Sequence, residues 1–230
     1  MRDQHPAGPR DRHDPSLRIL PSDSGRTRAV VLVLHGGRQH SEEPTRSWQL
    51  AYRRMVPFAR SVHRATADQH TSVWLLRNRL RGWNEPHRHP VVDASRVLER
   101  IDHEHPNANV VLLGHSMGGR AALRLAGADR VSAVCALAPW IERDEPVRQL
   151  AGRRVLVLHG DRDRTTSSDA SAEYVRAASR WHPDVRFVPV AGDGHAMLRR
   201  PGTWTSLVRR FAREAVSSDE QRPEATGGIS

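Results

Sequence analysis

Gly114-His115-Ser116-Met117-Gly118 follows directly on the apolar run Val110-Val111-Leu112-Leu113. A serine with glycines two residues away on each side fits a sharp strand-to-helix turn. The flanking glycines leave room where a Cβ would strike the neighbouring chain. Such a turn lifts the Ser116 hydroxyl off the sheet and sets the Met117 N–H at a helix N-terminus. A nucleophile and half of an oxyanion-binding site then arise from one local structure. Whether they are used depends on the partners supplied elsewhere.

Working outward, the run Val155-Leu156-Val157-Leu158 ends in His159-Gly160-Asp161-Arg162-Asp163, an acidic turn at a predicted strand end. Val185 to Val190 leads into Ala191-Gly192-Asp193-Gly194-His195, a histidine in a glycine-rich loop. Upstream, Val30 to Leu34 runs into His35-Gly36-Gly37, a loop able to bring backbone N–H groups near a substrate. A serine hydroxyl needs a base to attack a carbonyl, and an imidazole can take its proton near neutral pH. His195 is the candidate base. Either Asp161 or Asp163 could orient it, and Asp193 lies beside it.

The order Ser, Asp, His with an early His-Gly-Gly loop resembles the alpha/beta-hydrolase superfamily, from about Ala29 to Phe211. Within it, the chain looks like the small dienelactone-hydrolase and carboxylesterase-like branch. The resemblance implies an α/β fold with a mostly parallel central sheet and helices on both faces. It implies a serine hydrolase acting on an ester or thioester of a small molecule, without metal or organic cofactor. The family pattern, similar to HGDxDxxV, gives the acid role to Asp163 rather than Asp161. It implies an oxyanion hole from the N–H groups of Met117 and Gly37, with Arg38 as the alternative to Gly37, and a loop-shaping role for His35. Thr165-Thr166 departs from the family, which often has an apolar residue there. The same triad can serve an acyltransferase, lactonase or peptidase, and the fold can also carry a non-catalytic receptor.

Composition narrows the classes. Lys+Arg 36 against Asp+Glu 26 leaves a formal net charge of +10, and every one of those cations is arginine. The arginines are scattered and no basic stretch is interleaved with aromatics, so no nucleic-acid partner is expected. Arg38, Arg77, Arg79, Arg81 and Arg120 fall near the predicted site. They read either as an electropositive mouth or as an ordinary solvated surface. Arg38, Trp83 and Trp140 are candidate substrate contacts, though the tryptophans could simply pack; Met197 and Leu198 are expected to pack. His35, His115, His159 and His195 lack helical metal-ligand spacing, and no metal is expected. Cys135, in the apolar run Val131 to Leu137, reads as a core thiol. No apolar run is long enough for a membrane span and the N-terminus has no h-region, which predicts a cytoplasmic protein.

Along the chain, residues 1–16 and 217–230 are polar and read as mobile tails flanking one domain over 17–216. Strands are predicted at Leu17–Leu20, Ala29–Leu34, Val73–Leu76, Val110–Leu113, Val131–Ala138, Val155–Leu158 and Val185–Val190. Helices are predicted over Arg46–Ala67, with Pro57 threatening a break and Trp48 on its apolar face. Further helices are expected over Val91–Glu104, Gly118–Leu125, Ser168–Ser179 and Thr203–Val216. Only about 15 residues join the strand ending near Ala138 to the next, room for a short helix at Glu145–Leu150 but not for a cap domain. An open cleft made of loops follows from that. There are no internal repeats.

Overall fold

A computed structural model describes residues 15–217. Seven strands form one sheet: β1 (Ser16–Leu20), β2 (Ala29–Leu34), β3 (Thr71–Arg77), β4 (Asn109–His115), β5 (Val131–Leu137), β6 (Arg154–Gly160) and β7 (Val185–Val190). Their spatial order is β1-β3-β2-β4-β5-β6-β7. Only β1 runs antiparallel, pairing Ser16 with Arg77 and Leu20 with Val73 at one edge. Five helices flank the sheet: α1 (Leu50–Ala65), α2 (His89–Glu104), α3 (Met117–Arg124), α4 (Ser168–Ser179) and α5 (Pro201–Ser217).

The uninterrupted apolar strands are explained by burial on both sides, because alternate residues serve opposite faces. Val30, Leu32, Leu34, Val110 and Leu112 pack with residues of α2, α3 and α4 on one face. Val31, Val33, Val111 and Leu113 pack with residues of α1 and α5 on the other. Cys135 lies in this second layer, where burial pushes its thiol pKa up and makes it a core residue.

The structure departs from expectation at element ends. Helix α1 begins at Leu50, not Arg46, so Trp48 stands outside it and is 70 % exposed. Pro57 lies inside the helix without ending it, since Met55, Phe58, Ala59 and Val62 bury a continuous face. An interior proline costs a helix about 3 kcal/mol, which several buried side chains at ~1.5–3 kcal/mol each can offset. Ala138, read as the end of a strand, lies beyond β5 with φ 41°. The β5–β6 connection holds a single 3₁₀ turn, Arg148–Leu150, in place of a helix over Glu145–Leu150. Ser16 opens β1 and Ser217 closes α5, although both fell in the predicted tails; residues 1–14 and 218–230 lie outside the described residues. No described helix is long and apolar enough to cross a membrane.

Candidate active site

The parallel strands deliver their C-terminal loops to one rim of the sheet, where ligand sites of open α/β folds form. At the end of β4 the backbone of Ser116 takes φ 55°, ψ −119°, a conformation L residues adopt only when their surroundings impose it. The surroundings do so here. Its N–H donates to Leu137 O of β5 at 2.9 Å, and its carbonyl accepts from Arg120 N–H at 3.0 Å and Trp140 N–H at 3.3 Å. A Cβ at Gly114 would overlap the Gly118 carbonyl, and one at Gly118 would overlap the carbonyls of Leu34 and His35. Both glycines are therefore required for α3 to start against β2 and β4.

The loops after β6 and β7 meet this turn. His195 Nε2 lies 3.0 Å from Ser116 Oγ, and His195 Nδ1 lies 2.8 Å from Asp163 Oδ2. A carboxylate only accepts, so Nδ1 carries the proton and the Nε2 lone pair faces the serine hydroxyl. The Asp163 side chain is fully buried, whereas that of His195 keeps 16 % exposure, so the histidine and not the acid reaches solvent. Burial by itself would raise the Asp163 pKa. Hydrogen bonds from His159, His195 and the N–H groups of Thr166 and Thr165 outweigh it and hold the carboxyl well below the usual carboxylate range.

The other two acids have different work. Asp161 Oδ1 accepts from Gly192 N–H at 2.7 Å and joins the two loops. Asp193 shapes the turn that presents the histidine: Oδ1 accepts from Gly194 N–H at 2.8 Å, and Oδ2 from Arg200 N–H and the Trp204 indole, both at 2.9 Å. Beneath the site, His115 Nε2–H donates to the His195 carbonyl at 3.0 Å, tying the loop that carries His195 to the end of β4. Sequence reasoning assigned no role to Asp193 or His115. A buried charge capping a turn leaves no sequence period to read.

Early in the chain, His35 is buried and bridges two backbones. Its Nδ1–H donates to Gly36 O at 2.6 Å and its Nε2 accepts from Asn78 N–H at 3.1 Å. A trans peptide holds its C=O and N–H on opposite sides, so fixing the Gly36 carbonyl on His35 aims the Gly37 N–H the other way. The Arg38 N–H is committed to Arg81 O at 2.8 Å. Among the described residues, neither the Gly37 N–H nor the Met117 N–H donates to a backbone carbonyl. The Gly37 Cα packs so tightly on the Met117 side chain and the Arg81 carbonyl that a Cβ there would overlap both.

Most of the arginines form neither of the patterns expected of them. Arg79 is buried on Asp93, with Nε to Oδ1 at 2.6 Å. Arg77 donates to Ser16 Oγ and Thr45 O, each at 2.8 Å, and Arg81 pairs with Glu43. Arg120, 2 % exposed, packs against both the Trp83 and Trp140 rings, 4.4 Å from each. Its Nε and Nη2 reach Glu145 and Glu142 at 2.7 Å. Arg77, Arg79 and Arg120 are internal braces, Arg81 forms a surface pair, and Arg38 stays exposed. Trp83 is fully buried and is not a surface a substrate can touch. Trp140 is half-buried, its ring on Arg120. Met197 is buried as expected, but Leu198 is 73 % exposed and does not pack.

Burial of two histidines makes stability depend on pH. Desolvation lowers the pKa of His35 to about 4 and that of His115 to about 3, from 6.5. Below pH 6.5 the unfolded chain therefore binds protons that the folded chain refuses, and stability falls with pH until those lower values are passed. The combined loss is on the order of several kcal/mol. Urea melts are expected to give an unchanged free energy of unfolding above pH 7 and a steep fall between pH 6.5 and 4. His35→Gln should be less stable at pH 7 but show a shallower fall; a flat wild-type profile would contradict this.

The sequence pattern of the alpha/beta hydrolase fold matches residues 29–174, and the chain belongs to that family. Comparison with curated protein sequences finds no significant match. Among solved structures, an alpha-beta serine hydrolase homologue from Coxiella burnetii superposes with TM-score 0.66 at 16% identity, covering 86% of this chain and 91% of that one. XC6422 from Xanthomonas campestris, an a/b serine hydrolase without lid, gives 0.64 at 16% identity over 87% and 88%. Est1E from Butyrivibrio proteoclasticus, solved with ferulic acid, gives 0.64 at 16% identity over 88% and 96%. These likenesses concern the fold, which here too lacks a sizeable cap.

Proposed function

We propose that the chain is a serine hydrolase that cleaves a carboxylic ester or thioester of a small molecule through an acyl-enzyme on Ser116. The reading rests on one observation, the unbroken hydrogen-bonded line from Ser116 Oγ through His195 to Asp163. Nε2 takes the Ser116 proton as Oγ attacks the carbonyl carbon. Asp163 stabilises the imidazolium, and the oxyanion is held by the N–H groups of Gly37 and Met117. Nε2 then returns the proton to the leaving alcohol or thiol. Water repeats the sequence on the acyl-enzyme, losing a proton to Nε2, and the acid departs as Ser116 regains its own. No metal or organic cofactor enters any step.

Labelling by a fluorophosphonate probe tests this directly. The wild type is expected to become covalently modified at Ser116 and the Ser116→Ala variant to remain unlabelled. A panel of p-nitrophenyl esters, acyl-CoA thioesters and lactones then sorts ester from thioester and lactone cleavage. A folded wild type that neither reacts with the probe nor turns over any member would mark the chain as a receptor on a hydrolase fold and refute the proposal.

A further inference from the structure

Thr166 stands where an apolar residue would fill space, yet its hydroxyl lies at the centre of the acid–base pair. Thr166 Oγ1 is 3.1 Å from His195 Nδ1 and 3.0 Å from Asp163 Oδ2. It is also 3.3 Å from the Ala138 carbonyl and 3.3 Å from His159 Nε2. The protons around it can be counted. His159 Nε2 faces Asp163 Oδ2 at 3.2 Å and must carry a proton there, so its Nδ1 accepts from Ser171 Oγ at 2.9 Å. His195 Nδ1 is protonated for the same reason. The hydroxyl therefore faces two N–H donors and two oxygen acceptors with one proton of its own. Pointing that proton at Ala138 O or Asp163 Oδ2 leaves its lone pairs turned toward the His195 Nδ1–H.

We infer that Thr166 is a positioning residue for His195: its hydroxyl shares the Nδ1–H with Asp163 and supplies a second acceptor that keeps Nε2 aimed at Ser116. This rests on the function proposed above and adds a member to its machinery. Two acceptors fix a ring more tightly than one, because rotation about the Nδ1–H to Asp163 bond would break the contact with Thr166. The place of Ala138 supports the arrangement. Its left-handed backbone, φ 41°, is held by its N–H donating to Leu158 O at 2.7 Å, and from there its carbonyl accepts from Thr166.

Thr166→Val keeps the β-branched shape and removes only the hydroxyl, while Thr166→Ser keeps the hydroxyl and trims the methyl. With p-nitrophenyl acetate as substrate, Thr166→Val is expected to lower kcat about 10- to 100-fold with KM and Tm nearly unchanged, as for a misaligned catalytic group. Thr166→Ser should recover kcat to within about 3-fold of the wild type. In an Asp163→Ala background, Thr166→Val should remove more activity than it does from the wild type, because the remaining acceptor is then lost. Equal impairment of the Val and Ser variants, or a Val variant within about twofold of wild type, would overturn the inference. Ser116→Ala and His195→Ala run alongside separate the two claims. If those variants are inactive and Thr166→Val is silent, only the role of Thr166 fails; if they stay active, the reading of the whole site fails.

Discussion

Ser116→Ala and His195→Ala are each expected to lower ester turnover by about 10⁴- to 10⁶-fold without disturbing the fold. The fold should survive because neither side chain holds an element in place. Among the described residues Ser116 Oγ hydrogen-bonds to His195 Nε2 alone, and the His195 ring projects from a loop whose shape comes from Asp193. On the proposed function, removing either group leaves the backbone N–H donors of Gly37 and Met117, so residual catalysis above the water reaction is expected. The double variant should be little worse than either single one, since nucleophile and base act as a unit. Steady-state kinetics with circular dichroism on the same samples checks this. Retention of most activity in either single variant would refute the assignment.

The second large effect separates two aspartates that are two residues apart. Asp163→Asn is expected to lower kcat by about 10⁴-fold, because an amide beside Nδ1 can stabilise the wrong imidazole tautomer. Asp161→Asn should alter turnover only slightly, since Asp161 accepts from Gly192 N–H and does not contact the ring. Comparing kcat of the two variants at pH 8 decides the point, and the opposite ranking would move the acid role to Asp161.

The class of fold was legible in the sequence because every central strand is buried on both faces. Ala29–Leu34 and Val110–Leu113 had to be unbroken apolar runs, and such runs alternating with helical stretches imply a parallel sheet. The elbow at Ser116 was legible because its glycines answer to local crowding. Its partners could be listed because they end strands in a set order. What stayed hidden depends on convergence in space. Nothing in the local pattern around Trp83 and Arg120 tells that a guanidinium packs against both Trp83 and the distant Trp140. Likewise His159 was read only as part of an acidic turn and Thr166 only as a departure from an apolar position, and their contact with Asp163 and His195 appears only when β6 lies beside β5 and β7. Trp48 misled because spacing alone placed it on a helical face that starts after it.

The brace around Arg120 bears on how such a molecule can diversify. Arg120 stands on α3, which follows Ser116 directly, and Glu142 and Glu145 hold it from the β5–β6 connection. Trp140, in the same connection, donates its N–H to the Ser116 carbonyl. An insertion there that displaced Glu142 and Glu145 would strand a desolvated guanidinium, a loss of about 3–5 kcal/mol, and would loosen the Ser116 backbone. Lengthening this connection would thus demand a rebuilt keystone first.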